Sequence, residues 1–194
     1  GSFIKAGEVL QNLYYAETLK VLALNGSKSF YSGEIAKGIV NTVQNKNNNP
    51  GVLSLSDLNN YKVKEREAIC SKYRGFDICG MGPPSSGALS VGIILGILEN
   101  FDLRSLGPKS AEAWRLIGDA SRLSFADRGR YMADSDFVFV PVKALLNKDY
   151  LGARAKLLQT GRALKYVHPG VPSYNLTNFY ADDQSIELPS TSHI

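Results

Sequence analysis

The last five residues of the chain, Ser190-Thr191-Ser192-His193-Ile194, are of types that can carry out nucleophilic chemistry. They follow residues 168–190, a stretch rich in Pro, Asn, Asp and Ser that predicts an extended, irregular connector. A threonine at the junction between such a connector and a β-strand can act as an N-terminal nucleophile. Cleavage before it frees an α-amine, which then serves as the base for its own hydroxyl. The spacing alone does not single out Thr191, because termini rich in Ser and Thr are common.

Two serines after a double proline form a second candidate site. Ser85-Ser86 follow Pro83-Pro84 and precede an apolar stretch, Ala88–Leu98, that predicts a buried helix. The backbone amides of the serines can cradle an anion at the start of that helix. The alternative, which we favour, is a turn that caps the helix.

A basic stretch, residues 143–165, is the third candidate. It carries six Lys and Arg residues against Asp149 alone. One interpretation is a site for phosphate or an acidic polymer. The favoured alternative is a solvated helix face near a complementary acidic element. His168 precedes Pro169-Gly170, a loop context more typical of a surface residue than of a catalyst.

Composition and missing motifs exclude several classes of protein. The net charge of +4 is too small to indicate a nucleic-acid binder, and 44% hydrophobic residues exclude a disordered chain. The longest uncharged run is interrupted by Pro83-Pro84-Ser85-Ser86-Gly87, so it does not predict a membrane span. The sequence has no Gly-rich phosphate loop, no His-Glu-x-x-His and no Cys-x-x-Cys. We therefore expect neither a metal ion nor a cofactor.

Helices are predicted along most of the chain. Apolar spacing indicates a helix from Gly7 to Gly26 and a second one that starts near Gly33. Ser56-Asp57 predict the cap of a short helical turn, and Ser110 predicts the cap of a long helix. In the long helix we expect these residues to point inward: Ala111, Trp114, Ile117, Ala120 or Ser121, Leu123 and Phe125. Its outward face mixes charges typical of a solvated face or of internal ion pairs: Arg115, Asp119, Arg122, Asp127, Arg128 and Arg130.

A β-hairpin is predicted between Val63–Cys70 and Phe76–Met81. With Arg74-Gly75 as a two-residue turn, the register aligns an aromatic pair, an ion pair and the two cysteines: Tyr73 with Phe76, Lys72 with Asp77, and Cys70 with Cys79. The cysteines are interpreted as two small buried thiols, with a disulfide as the alternative in an oxidising compartment.

A set of ordered motifs along the chain resembles one enzyme family. The matching stretches are Gly33-Glu34-Ile35-Ala36, Tyr61-Lys62-Val63, Tyr73-Arg74-Gly75, Pro83-Pro84-Ser85-Ser86-Gly87, Phe101-Asp102-Leu103, Phe125-Ala126-Asp127-Arg128 and residues 134–141. From Gly7 to Ile194 they resemble the C-terminal half of the large subunit of a gamma-glutamyltranspeptidase. Ala88 departs from the pattern, since the family usually has a second glycine there.

The resemblance implies a nucleophile and a fold. Members of the family are proenzymes that cut themselves before a Thr-(Thr/Ser)-His motif, here Thr191-Ser192-His193, which implies that Thr191 attacks the carbonyl of Ser190. Thr191 would then accept the gamma-glutamyl group of glutathione-like donors and pass it to water or to an amino-acid or peptide amine. The implied fold is the αββα sandwich of N-terminal-nucleophile hydrolases. This chain would supply a helix-rich α+β part with the hairpin near residues 63–81.

The resemblance also divides the chain. Residues 3–190 would be the C-terminal part of the large-subunit region, and residues 191–194 the uncleaved start of the small-subunit region. Residues 1–2, from their Gly-Ser sequence alone, are expected to be a tag scar. The remaining large- and small-subunit segments would be its partners, and the chain alone is expected to be inactive. The family's location implies a periplasmic or secreted protein. The alternatives are a related acylase (a cephalosporin acylase or a poly-gamma-glutamate depolymerase) and a non-catalytic binding module that uses the basic stretch.

Overall fold

The computed structural model describes residues 3–173, so Ser190 and Thr191 lie outside the described residues. The chain divides into two compact units, residues 1–64 and 65–194. Helices and one two-stranded antiparallel sheet make up the described part, which confirms the predicted helix-rich α+β class.

From residue 3 onward, the first unit contains four helices: α1 (Leu13–Asn25), α2 (Lys28–Tyr31), α3 (Glu34–Gln44) and α4 (Leu55–Asn60). Helix α1 begins later than predicted because the Asn12 side chain caps it, accepting from the Tyr15 N–H at 2.9 Å. Helix α4 is capped by Ser54, with Asp57 completing the capping box, so the predicted cap at Ser56 was wrong by two residues.

The second unit begins with the hairpin, β1 (Ala68–Tyr73) and β2 (Phe76–Met81). Every predicted cross-strand pair is present in the observed register. Cys70 and Cys79 form a disulfide and both residues are exposed, so the interpretation as buried thiols was wrong. The pleat explains this, because burial alternates along β1 and the cysteine lies on the more exposed face of the strand.

The described part of this unit, up to residue 173, contains five further helices: α5 (Gly87–Leu98), α6 (Leu103–Leu106), α7 (Ala111–Tyr131), α8 (Val142–Leu145) and α9 (Lys148–Lys156), followed by a 3₁₀ turn (Leu157–Thr160). Helix α5 is the predicted buried helix, and it packs against both strands and against α7, α8 and α9. The core is formed by apolar side chains of these elements and of the loop before α8: Leu89, Ile93, Ile97, Leu98, Leu116, Ala120, Leu123, Val140, Leu145, Leu151, Ala155 and Leu158.

Two glycines of α5 allow its neighbours to approach closely, as their spacing predicts. A Cβ on Gly92 would lie 2.8 Å from a methyl of Leu146, and one on Gly96 would collide with the Leu151 side chain. The side chains of Leu146, the residue after α8, and of Leu151 in α9 therefore lie directly against the α5 backbone.

We expect Gly96→Ala to lower the free energy of unfolding by about 1–3 kcal/mol, since the added methyl overpacks the contact with Leu151. Gly118→Ala on α7 is the matched control, because its Cβ would meet nothing within 4 Å. The control should be neutral or up to about 1 kcal/mol stabilising, because alanine has the higher helix propensity. Urea denaturation of both variants measures the difference, and equal midpoints would contradict the close packing.

Helix α7 is rotated relative to its predicted orientation. Trp114 and Phe125, expected inward, are 63% and 53% exposed, whereas Asp119 and Asp127, placed on the outward face, are 3% and 0% exposed. The buried face contains Ala113, Leu116, Asp119, Ala120, Leu123, Ser124 and Asp127. Two carboxylates lie inside because each has cationic and backbone partners there, which makes their burial tolerable.

Candidate functional site

Thr191 lies outside the described residues. The structure does describe part of the chain that precedes Thr191 in the sequence, up to residue 173. We call residues 161–173 the exit segment. It contains no helix or strand, and its backbone is held by side chains of α7 and α9.

Two buried carboxylates of α7 accept hydrogen bonds from the backbone of the exit segment, and we call each of them an anchor. The first anchor is Asp127, which is fully buried. Its Oδ1 accepts from Arg154 Nη2 at 3.0 Å and from the Gly170 N–H at 2.7 Å. Its Oδ2 accepts from the Tyr150 hydroxyl at 2.8 Å. Three donors from two different parts of the chain therefore converge on one side chain of α7.

Arg154, the cationic partner of Asp127, also binds two backbone carbonyls. Arg154 Nη2 also donates to the carbonyl of Leu123 at 3.2 Å and to that of His168 at 2.9 Å. The Arg154 side chain is 8% exposed and its Asp127 partner is fully buried. Arg154 thus belongs to the interior and not to a solvated basic face, and the acidic element expected near the basic stretch is α7.

Gly170 is held on both of its backbone polar groups. Its N–H donates to Asp127 at 2.7 Å, and its carbonyl accepts from the Tyr131 hydroxyl at 2.7 Å. The Tyr150 ring lies where a Cβ on residue 170 would be, so no larger residue fits without movement. The chain therefore passes through a fixed point at Gly170.

Burial and hydrogen bonding act in opposite directions on the ionisation of this cluster. Desolvation raises the pKa of Asp127, while the Gly170 N–H, the Tyr150 hydroxyl and Arg154 lower it. Burial and the adjacent carboxylate raise the pKa of Tyr150. Tyr150 therefore remains protonated at neutral pH and acts as a hydrogen-bond donor.

Asp119, one further buried carboxylate of α7, anchors the beginning of the exit segment. It accepts from the Leu164 N–H at 3.1 Å, from Arg122 at 3.0 Å and from Arg115 at 3.3 Å. Arg122 in turn donates to the Leu164 carbonyl at 2.6 Å, and Arg115 donates to that of Arg162 at 3.2 Å. The two carboxylates hold the backbone of the exit segment at Leu164 and Gly170, and the arginine Arg115 beside them holds it at residue 162.

The Pro-Pro-Ser-Ser-Gly turn is also tied to α7. The Pro83-Pro84 peptide bond is cis, and Ser86 occupies the cap position of α5. The Ser86 side chain makes no capping bond and instead accepts from Arg128 Nε at 2.8 Å. The turn therefore begins helix α5, as the favoured alternative states, and the Ser86 hydroxyl contacts α7. Anion binding by the backbone amides of the two serines stays a prediction.

Within residues 3–173, no group of three or more His, Cys, Asp and Glu side chains could hold a metal ion. Over the same range, none of the helices combines the length and the apolar character that crossing a bilayer requires.

Sequence reasoning missed the role of Asp127 and Asp119, although a signal for Asp127 was present. Leu116, Ala120 and Leu123 follow the spacing of a buried helical face, and Asp127 is the next position on it. Following that stripe, instead of the aromatic residues, would have placed the carboxylate inside. Asp127 also lies in the Ala126-Asp127-Arg128 block on which the resemblance depends.

The sequence of this chain is similar to those of known proteins of one family. The sequence profile of the family described as Gamma-glutamyltranspeptidase matches residues 1–194. The glutathione hydrolase proenzyme of Escherichia coli (strain K12) is 39% identical over 163 residues, which is 84% of this chain and 28% of that protein. The Acylase ACY 1 proenzyme of Pseudomonas sp. (strain SE83) is 36% identical over 163 residues, 84% of this chain and 29% of that protein.

Structural comparison agrees. The crystal structure of Helicobacter pylori gamma-glutamyltranspeptidase superposes with a TM-score of 0.73 at 34% identity, covering 87% of this chain and 50% of that one. This likeness confirms the expected class, an α+β part of an N-terminal-nucleophile hydrolase. The chain spans less than a third of the length of these two curated relatives. On the profile match and these identities, the chain belongs to the gamma-glutamyltranspeptidase family.

Proposed function

We propose that the full-length protein is a gamma-glutamyltransferase and glutathione hydrolase, made as a proenzyme that cleaves itself before Thr191. The observation that carries the proposal is the family match over residues 1–194, which includes the Thr191-Ser192-His193 motif. A relative 39% identical to this chain is itself named a glutathione hydrolase proenzyme.

In the self-cleavage step, the Thr191 hydroxyl oxygen attacks the carbonyl carbon of Ser190. The Ser190–Thr191 peptide bond breaks, the departing nitrogen takes up the proton, and an ester joins Ser190 to the Thr191 side chain. Water hydrolyses that ester, leaving a carboxylate on Ser190 and a free α-amine on Thr191. That amine is then positioned to act as the base for its own hydroxyl.

The catalytic cycle uses the same oxygen. Thr191 attacks the gamma-carbonyl of a glutathione-like donor, whose amine leaves with a proton, and a gamma-glutamyl ester forms on the side chain. Water or the amine of an amino acid or peptide then resolves the ester and restores the hydroxyl. We assign no chemical step to Ser192 or His193.

The division of the chain follows from this proposal. Residues 3–190 would form the C-terminal part of the large subunit, and residues 191–194 would begin the small subunit. We place the protein in the periplasm or outside the cell. The exposed Cys70–Cys79 disulfide supports this, since disulfides persist in oxidising compartments.

We expect the 194-residue chain alone to be inactive, because it spans only 28% of the length of its E. coli relative. Oxyanion donors alone contribute about 10²–10³ in rate, and the positioning of substrate contributes more. A gamma-glutamyl donor assay should show turnover with the full-length protein and none with the chain. Mass spectrometry of the full-length enzyme, quenched during turnover, should find the gamma-glutamyl adduct on Thr191. Turnover by the chain alone, or an adduct on another residue, would contradict the proposal.

A related acylase is the second candidate, and the 36% identity to the Acylase ACY 1 proenzyme favours it. The two functions share the nucleophile and differ in the acyl group that is accepted. Comparing kcat/KM for a gamma-glutamyl donor and for a cephalosporin-type amide separates them. We expect the gamma-glutamyl donor to be preferred.

A further inference from the structure

A pocket lies along the free edge of strand β1, and we call it the edge pocket. Its volume is about 370 Å³. In residues 3–173, β1 pairs with β2 alone, and none of the residues that line the pocket belongs to β2. Six lining residues are polar or carry sulfur: Cys70, Ser71, Lys72, Glu99, Asn100 and Lys148. The edge pocket therefore brings one cysteine of the disulfide together with charged side chains.

The Cys70–Cys79 disulfide can be attacked from the side of the pocket. Both cysteines are exposed, and Cys70 lines the pocket. A thiolate breaks a disulfide by attacking one sulfur while the other leaves, and it approaches opposite the leaving sulfur. Since Cys79 lies across the sheet on β2, the side opposite to it is the free edge of β1. The pocket therefore lies on the approach path to the Cys70 sulfur.

Two lysines of the edge pocket are available to bind carboxylates. Lys148, the first residue of α9, is exposed and makes no ion pair with any residue between 3 and 173. Lys72 lies two residues from Cys70 and therefore on the same face of β1. Its ion pair with Asp77 is 2.9 Å long, but the two side chains are 76% and 61% exposed, so the pair is weak and a ligand carboxylate can replace it.

Oxygen atoms of the same pocket suit an ammonium group. Asn100 donates its side-chain N–H groups to the carbonyls of Gly96 and Ile97 at 3.0 and 3.1 Å, which leaves its side-chain oxygen as an acceptor. Glu99 adds a carboxylate. The hydroxyl oxygen of Ser71 is buried and has no hydrogen-bond partner within residues 3–173. Because buried polar groups normally have a partner, this hydroxyl also points to a polar ligand at the pocket wall.

We propose that the edge pocket binds a small thiol that carries carboxylates and an ammonium group, as a short cysteine-containing peptide does, and that this thiol exchanges with the Cys70–Cys79 disulfide. The two lysines bind its carboxylates, and Asn100 and Glu99 bind its ammonium group. The exchange requires no step at Thr191. Glutathione, a donor in the proposed function, belongs to this class of thiol, and only that link rests on the proposed function.

The exchange step is balanced without a further oxidant or reductant. The thiolate sulfur of the ligand attacks the Cys70 sulfur, and the bond between the two cysteine sulfurs breaks. A new disulfide joins the ligand to Cys70, and the Cys79 sulfur leaves as a thiolate that takes up the proton lost by the ligand. The ligand sulfur is oxidised to a disulfide, and Cys79 is reduced to a thiol.

The test uses the full-length protein carrying Thr191→Ala, so that glutathione is not consumed and the outcome does not depend on the proposed function. The protein is incubated with glutathione or with the uncharged thiol mercaptoethanol, trapped at intervals with N-ethylmaleimide, and analysed by peptide mass spectrometry. Each rate is divided by the rate of the same thiol with hydroxyethyl disulfide, which removes differences in intrinsic reactivity. We expect the corrected rate for glutathione to be about fivefold to tenfold higher, with glutathione on Cys70 and the maleimide on Cys79.

A pair of lysine variants separates binding in the pocket from general attraction to a basic surface. Lys148→Gln should lower the corrected glutathione rate by about threefold and leave the mercaptoethanol rate unchanged. The matched control is Lys143→Gln, at an exposed lysine of α8 outside the pocket, and it should change neither rate. Higher ionic strength should slow glutathione alone, which tests the effect of charge without any variant at a lysine. Equal corrected rates for the two thiols, glutathione attached to Cys79, or a disulfide that neither thiol opens would overturn the proposal.

Discussion

Replacing Asp127 with alanine is expected to lower the free energy of unfolding by about 3–5 kcal/mol, the range typical of breaking a buried ion pair from one side. The loss is large because Arg154, 8% exposed, would keep its charge without a carboxylate partner. The Gly170 N–H and the Tyr150 hydroxyl would lose their acceptor in the same change. Urea denaturation followed by circular dichroism measures the effect.

Two further variants show that the effect comes from burial and not from the loss of an ion pair as such. Asp77 pairs with Lys72 at 2.9 Å, but both side chains are exposed, so Asp77→Ala should cost less than about 1 kcal/mol. The double variant Asp127→Leu/Arg154→Met removes both buried charges, and it should be more stable than Asp127→Ala. A loss in Asp127→Ala no larger than in Asp77→Ala would contradict the anchor.

Replacing Thr191 with alanine in the full-length protein is expected to abolish self-cleavage and turnover together. Alanine has no oxygen to attack Ser190, so the polypeptide should remain a single band on a denaturing gel. Removing the nucleophile of a covalent mechanism typically costs about 10⁴–10⁶ in rate, so gamma-glutamyl transfer should fall to background.

Thr191→Ser is the matched variant, because it keeps a hydroxyl at the same position. It should still cleave and turn over, more slowly, and give the same two bands. Ser192→Ala should cleave like the unchanged protein, since we assign no step to Ser192. Two bands from Thr191→Ala would show that another residue makes the cut.

The parts of the fold set by local spacing were predictable. The hairpin register follows from one two-residue turn, which aligns Tyr73 with Phe76 and Cys70 with Cys79, and the structure has this register. The close approach at Gly92 and Gly96 likewise follows from four-residue spacing on one helix. In both cases the deciding residues are near neighbours in the chain.

The orientation of α7 was not predictable in the same way, because it depends on distant partners. Asp127 is buried only because Arg154 and Gly170, 27 and 43 residues later, come to it. Taken alone, an Asp-Arg sequence in a helix is more typical of a solvated face than of the core. Trp114 and Phe125 favoured the wrong orientation of the helix, because large aromatic side chains are usually buried in the core. In the structure both are exposed.

The most direct test of self-cleavage before Thr191 is the intact mass and N-terminal sequence of the smaller fragment of the purified full-length protein. Our account predicts two chains, with the smaller one beginning Thr-Ser-His-Ile and the larger one ending at Ser190. A single uncut chain in active protein, or a smaller fragment that begins at any other residue, would contradict it.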